Sequence, residues 1–217
     1  MAPVRPNADV GPEQGWDRSG GGADVAGAAA DGTVGLLEPM PTPRPITSTA
    51  EACTLLLELG APPRLMRHAE LVSEAAVALL ALLAQHGVRP DAGWLLAGAA
   101  LHDAGKVLHP AELAGPGAEH EPAGEALLLS HGVAPHIARC CRSHAQWASL
   151  ECALEELLVA LADKLWKGVR VPKLELRTIE AVAASLGRPL WDLFVALDSG
   201  FEAIAATAND RLARSRV

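Results

Sequence analysis

A chain of 217 residues has room for one core of ordinary size, and a formal charge of −8 excludes a protein that coats nucleic-acid backbone, which needs a basic face. Half of the residues are hydrophobic, yet only 3% are aromatic and none is tyrosine; the apolar share is mostly Ala and Leu, which are strong helix formers. β-Branched residues nowhere alternate, so the composition predicts an all-α protein, a compact single-domain helical bundle.

Residues 1–46 are rich in Gly, Ala, Pro and Asp, with Gly20-Gly21-Gly22 in the middle and Pro41, Pro43 and Pro45 near the end. Such a segment buries too little to offset its backbone entropy, and it reads as a disordered tail ahead of a folded domain at 47–213. The first residues hold no apolar core of a secretory signal, and no uncharged apolar run reaches the roughly 20 residues that cross a bilayer. Cys53, Cys140, Cys141 and Cys152 form no Cys-x-x-Cys pair and read as reduced thiols. A cytoplasmic protein with no membrane partner is expected; no oligomeric state is implied.

The first helix is predicted from Thr47, with Ser48 or Thr49 capping, to Gly60. Pro62-Pro63 opens a long helix to His86-Gly87, in which Leu65, Ala69, Val72, Ala76, Leu79 and Leu83 make one apolar stripe. His68 falls inside that stripe and should face the core. Pro90-Asp91 begins a helix with Trp94, Leu95, Ala99 and finally His102 along one side, and after Lys106 comes an irregular segment holding Pro110, Gly115, Pro116 and Gly117. Helices follow from Glu119 to His131-Gly132, from Pro135 through His144, and over 150–167, which is apolar on nearly every side and should be central. Pro172 starts a helix to Leu186-Gly187, and Pro189 starts the last, to Ala213. His86 and His131 each precede a glycine at a helix end, where an imidazole can bond last-turn carbonyls; His109 reads as structural, or as near substrate if its loop covers the site, and His136 after a proline as solvated.

The chemistry lies in residues that an apolar core tolerates poorly. An ionised carboxylate in apolar surroundings costs several kcal/mol unless paired. Asp163 follows six apolar residues, and its neighbour Lys164 points elsewhere around the helix, so another partner is required. His68, the doublet His102-Asp103 and Asp163 sit on separate helices facing one core. Two imidazoles and two carboxylates suit one divalent transition metal of the Mn, Fe, Co, Ni or Zn group. His120 and His144 could hold a second ion, and Asp103, with two oxygens, could bridge the pair.

The order His68…His102-Asp103…Asp163, with Gly105 and Lys106 after the doublet and Leu161-Ala162-Asp163-Lys164 around the last ligand, resembles the HD-domain metal-dependent phosphohydrolases. The resemblance covers roughly residues 50–170. It implies a first metal on His68, His102, Asp103 and Asp163, while His120 and His144 match the extra histidines of the dinuclear branch. That branch includes bacterial diadenosine-tetraphosphate hydrolases and cyclic-dinucleotide phosphodiesterases. The Gly-Tyr-Pro signature of the cyclic-di-GMP enzymes is absent here, and Ala145-Gln146-Trp147 follows His144 in place of the histidine or threonine of those two branches. The resemblance therefore implies a reaction class without a substrate.

That class is hydrolysis of a small phosphorylated substrate, a nucleotide by expectation, by a metal-activated water, with one or two ions bound. Asp103 and Lys106 are the catalytic candidates, and Lys106, Arg67 and Arg170 the substrate-binding ones. The pocket is expected between residues 110–119 and Trp147. The alternative is a non-catalytic nucleotide-binding regulatory module on the same ligand set. A scaffold without any site would leave the doublet and Asp163 buried without a reason.

Overall fold

The computed structural model describes residues 42–216, which are helical with no β-strand among them. The expected tail lies outside the described residues as far as position 41. Residues 42–46 depart from that expectation, because they pack. The Arg44 N–H donates to the Gly132 carbonyl at 2.8 Å, the Arg44 guanidinium holds Glu58 at 2.6 and 2.8 Å, and Ile46 is buried. These partners are distant in sequence, so local composition could not reveal them.

Helix α1 (Thr49–Glu58) starts on Ser48, whose Oγ accepts the Glu51 N–H while the Glu51 carboxylate accepts the Thr47 N–H at 2.8 Å. Helix α2 (Pro63–Gln85) starts on its proline, and α3 (Ala92–Leu101) starts on Asp91, whose side chain accepts the Trp94 N–H at 2.9 Å. Two 3₁₀ turns follow, Ala104–Val107 and Pro110–Leu113, before α4 (His120–Ser130). Next come α5 (Pro135–Ala138), α6 (Cys140–Gln146), α7 (Leu154–Leu165), α8 (Pro172–Leu186), α9 (Trp191–Ala206) and α10 (Ala208–Arg214).

Three expected helices differ in extent, and at two of the three boundaries side chains capture backbone groups. The helix from Pro135 breaks at Arg139, which reaches Glu156 at 2.5 Å and the Glu151 carbonyl at 2.7 Å. The helix expected from residue 150 begins at Leu154, since Arg177 takes the Trp147 and Leu150 carbonyls and Glu156 takes the Ala153 N–H. The last helix divides at Thr207, whose hydroxyl returns to the Ile204 carbonyl at 2.8 Å.

Helix α7 is the axis of the bundle, packed by α2, α3, α6 and α8. Its residues Leu157, Leu158, Val159 and Leu161 are all buried, each worth about 1.5–3 kcal/mol against exposure. Among the described residues α2 alone has the length and hydropathy of a membrane span, but Leu71, Val72, Leu79 and Leu83 are buried in the main core. A second core forms where α1 and α3 meet Leu128, Val133 and Ile137. The seam between the two cores carries the buried histidines and aspartates.

Candidate metal centre

The doublet closes α3. His102 is its C-terminal cap residue, and Asp103 turns off the helix into the first 3₁₀ turn. This bend needs Gly105, where a Cβ would lie 1.9 Å from the His120 carbonyl oxygen and 2.6 Å from the Gly124 nitrogen. The close crossing brings the start of α4, and with it His120, over Asp103. His68 arrives from α2, His144 from α6 and Asp163 from α7.

The six donors fall into two sets that share Asp103. His68 Nε2 lies 3.0 Å from Asp103 Oδ2 and 3.2 Å from His102 Nε2, and Asp163 Oδ1 is 3.7 and 3.8 Å from those same nitrogens. On the other side, Asp103 Oδ1 lies 3.2 Å from His120 Nε2 and 3.8 Å from His144 Nε2. Two donors each about 2.1 Å from one ion, at roughly 90–110°, would stand about 3.0–3.4 Å apart. The closest pairs on both sides meet that spacing, and each three-residue set could hold an ion.

The hydrogen bonds decide which ring atoms are free. The His102 Nδ1–H donates to the Ala99 carbonyl at 2.8 Å and the His144 Nδ1–H to the Cys140 carbonyl at 3.1 Å. A carbonyl can only accept, so in the neutral rings both Nε2 atoms are bare lone pairs aimed at the seam. His120 Nδ1 donates to Glu112 Oε2 at 2.5 Å, leaving its Nε2 in the same condition. His120 Nε2 and Asp103 Oδ1 are buried, 3.2 Å apart, and neither has a hydrogen-bond partner among the described residues. Two acceptors facing each other in this way call for a cation between them.

Ionisation matches that requirement. Burial pushes the His102 imidazole down to about 3 and lowers His144 as well, against the opposing pull of Asp103 on each. Burial works against the charges of Asp103 and Asp163, but the neighbouring His102, seconded by His120 and His68 at Asp103 and by Lys167 and Lys164 at Asp163, holds both carboxyls well below the usual range. Asp103 raises His120, ahead of the lowering effect of burial, and Glu112 adds to the rise. The neutral His102 and His144 imidazoles beside ionised carboxylates are donors that a divalent cation takes, while the two carboxylates at His120 favour a positive charge there, whether a proton or a metal ion.

The sequence-predicted set is thus largely brought together, with four departures. Lys164 does reach Asp163, at 2.7 Å, and Lys167 stands at 3.4 Å, because a four-carbon stem in the last turn of α7 can curl where no further turn obstructs it. Arg170 is held away from the cluster by Glu175 at 2.8 Å and Asp198 at 2.5 Å. Arg67 is taken by Glu70 at 2.6 Å on its own helix. Trp147 packs against the main core rather than the pocket, and His131 bonds the Leu127 carbonyl at 2.8 Å, as a helix-end imidazole should.

A cavity of about 480 Å³ opens onto the first set, lined by His68 and Asp103 with Lys106, Arg64, Leu65, Leu113, Trp166, Ser215 and Arg216. Lys106 Nζ sits 2.6 Å from Asp103 Oδ2. Sequence reasoning missed Arg64, Arg216 and Glu112. Arg64 stands one turn before His68, where helical spacing could have found it; nothing local announced the other two.

An all-helical bundle gathers histidines and carboxylates at its centre into two sets that share one aspartate and could each hold a metal ion. Residues 67–166 match the HD domain family, the family whose motif order the sequence resembles. No curated protein and no solved structure matches it.

Proposed function

We propose that the protein is a metal-dependent phosphohydrolase acting on a phosphomonoester or phosphodiester, with a nucleotide as the substrate class. One observation carries the reading: the unpartnered, facing acceptors Asp103 Oδ1 and His120 Nε2, beside a cationic cavity. A divalent cation bound there supplies a water of lowered pKa and offsets charge on the phosphoryl oxygens.

The residues do the rest. Asp103 directs Oδ2 to the His68–His102–Asp163 set and Oδ1 to the His120–His144 set, so one carboxylate fixes their relation. The Ala99 and Cys140 carbonyls and Glu112 lock three imidazole tautomers with Nε2 inward. Lys106, on the cavity wall, offers its ammonium to a phosphate oxygen and so opposes charge that grows as the ester breaks. Leu65, Leu113 and Trp166 give the cavity an apolar side on which a base or sugar can lie, and its volume fits an organic phosphate.

The test joins metal content to turnover. Purified protein is expected to contain about one to two equivalents of transition metal by mass spectrometry. It should hydrolyse bis(p-nitrophenyl) phosphate or a nucleotide panel with added Mn²⁺, and lose both metal and turnover in Asp103→Ala. Metal-free protein with unchanged stability and activity after chelation refutes the proposal. Binding of nucleotides that raises the melting temperature without turnover would favour the regulatory module instead.

A further inference from the structure

Helix α10 is fastened with more care than a closing helix needs, and what it presents at its end is the cavity wall. Arg211 is buried and spends its guanidinium on three carbonyls: Trp166 at 3.0 Å, Leu165 at 3.3 Å and Ile204 at 2.5 Å. Two of these end α7, the helix that supplies Asp163, and the third belongs to α9. One turn further on, Arg214 grips Glu74 of α2 through both nitrogens at 2.7 and 2.6 Å, and also Asp210 at 3.0 Å. The two arginines tie α10 to the helices that carry Asp163 and His68. Ser215 and Arg216 follow at once and line the cavity, across the end of α2 from which Arg64 also reaches it.

Arg64 and Arg216 have no carboxylate partner among the described residues, unlike Arg44, Arg67, Arg139, Arg170 and Arg214, which are all paired. Lys106 is already engaged by Asp103. In a chain with a net charge of −8, two unpaired guanidiniums and an ammonium share one cavity whose single acidic lining residue is Asp103. Such a wall suits a multiply charged anion, and guanidiniums favour phosphate or carboxylate through paired N–H donors.

We propose that Arg64 and Arg216, the latter presented by the Arg211–Arg214 clamp, form a second anion subsite that binds a phosphate of the substrate other than the one attacked. The inference rests on the phosphohydrolase reading for the place of the attacked group, and it assigns the substrate class as one carrying at least two phosphates. Both arginines are exposed, so replacing them does not disturb the core.

The probe is a ladder of inorganic phosphate, pyrophosphate and tripolyphosphate titrated calorimetrically into Mn²⁺-loaded full-length protein, with metal content measured again after each titration. In the unaltered protein, affinity should rise by about tenfold or more from phosphate to the best longer anion. In the double variant R64Q/R216Q the ladder should flatten to within about twofold, while metal content stays unchanged. Arg214→Gln, which loosens α10 without altering the cavity lining, should flatten it partway. A flat ladder in the unaltered protein, or a steep one in the double variant, overturns the proposal. Because binding is read without turnover, a protein with a steep ladder and no hydrolysis refutes only the proposed reaction, and a hydrolase with a flat ladder refutes only the second subsite.

Discussion

Gly105→Ala isolates the contact that holds the two metal sets together. Gly105 does not have a positive φ, so by backbone preference alone alanine would stabilise the fold by about 0.4–1 kcal/mol through the unfolded state. Sterics oppose this. The new Cβ would stand 1.9 Å from the His120 carbonyl oxygen, 2.6 Å from the Gly124 nitrogen and 2.8 Å from the His120 carbonyl carbon. All three are backbone atoms, so no side chain can swing aside, and ordinary contact requires α4 to retreat by roughly 1.5 Å. Overpacking of this kind costs about 1–3 kcal/mol, which outweighs the entropic gain. For a chain of this size that is a fall in Tm of about 3–10 °C. The retreat carries His120 away from Asp103, so metal held by the His120–His144 set should be lost, with any hydrolysis reduced by about 100-fold or more. Thermal unfolding followed by circular dichroism, together with metal analysis of the dialysed variant, reads both consequences. A Tm at or above that of the unaltered protein with metal content preserved would refute the reasoning, since the close crossing would then not set the position of α4.

Asp103→Asn keeps the shape but removes the shared charge, and turnover should fall by about 1,000-fold with loss of bound metal, measured by steady-state assay and mass spectrometry. Glu112→Gln should weaken only the His120–His144 set, lowering affinity for one equivalent of metal by about 10–100-fold while the other persists in a competitive chelator titration. Arg211→Ala strips three buried carbonyls of their donor and should lower stability by about 1–3 kcal/mol in urea unfolding. In metal-free protein, His102 titrates near 3 when folded against 6.5 when unfolded, so between those values the unfolded state binds more protons. Stability should therefore fall as pH drops from about 6.5 toward 3. The depressed carboxyls of Asp103 and Asp163 reinforce this below about pH 4, while the raised His120 opposes it. Urea midpoints from pH 7 to 4 check the sign, and midpoints that hold or rise on acidification would contradict it.

What the sequence disclosed and what it hid divide along the range of the interactions. Apolar periodicity placed His68 on the inner face of α2, and the glycines at 60, 87 and 187 ended helices in the left-handed conformation that only glycine adopts without strain. The six candidate metal donors were legible because charge and imidazole are out of place in apolar helices. Arg139, Arg177 and Arg211 were not legible as helix breakers and staples, since each acts on carbonyls at least 7 positions away in the chain. The packing of Ile46 and Arg44 was hidden for the same reason. The pairing of Lys164 with Asp163 failed a rule made for helix interiors, because both stand in the final turn of α7.

The three locked imidazoles explain why the centre needs the segment between the doublet and α4 at all. His102 caps α3 and His144 lies in the last turn of α6, so each finds a carbonyl of its own helix, Ala99 or Cys140, to fix its ring. Helix ends also leave last-turn carbonyls whose negative partial charge favours a nearby cation. His120 is the first residue of α4 and has no preceding turn from which to draw a carbonyl. A carboxylate from outside the helix must do that work, and Glu112 on the second 3₁₀ turn supplies it while also accepting the backbone N–H groups of Glu119 and His120. One side chain thereby caps α4 and orients its ligand. The arrangement leaves no room beside it: a Cβ at Gly117 would lie 2.3 Å from the Glu112 carboxylate. The irregular stretch that composition alone marks as a loop supports the His120–His144 set, because it brings Glu112 to the His120 imidazole.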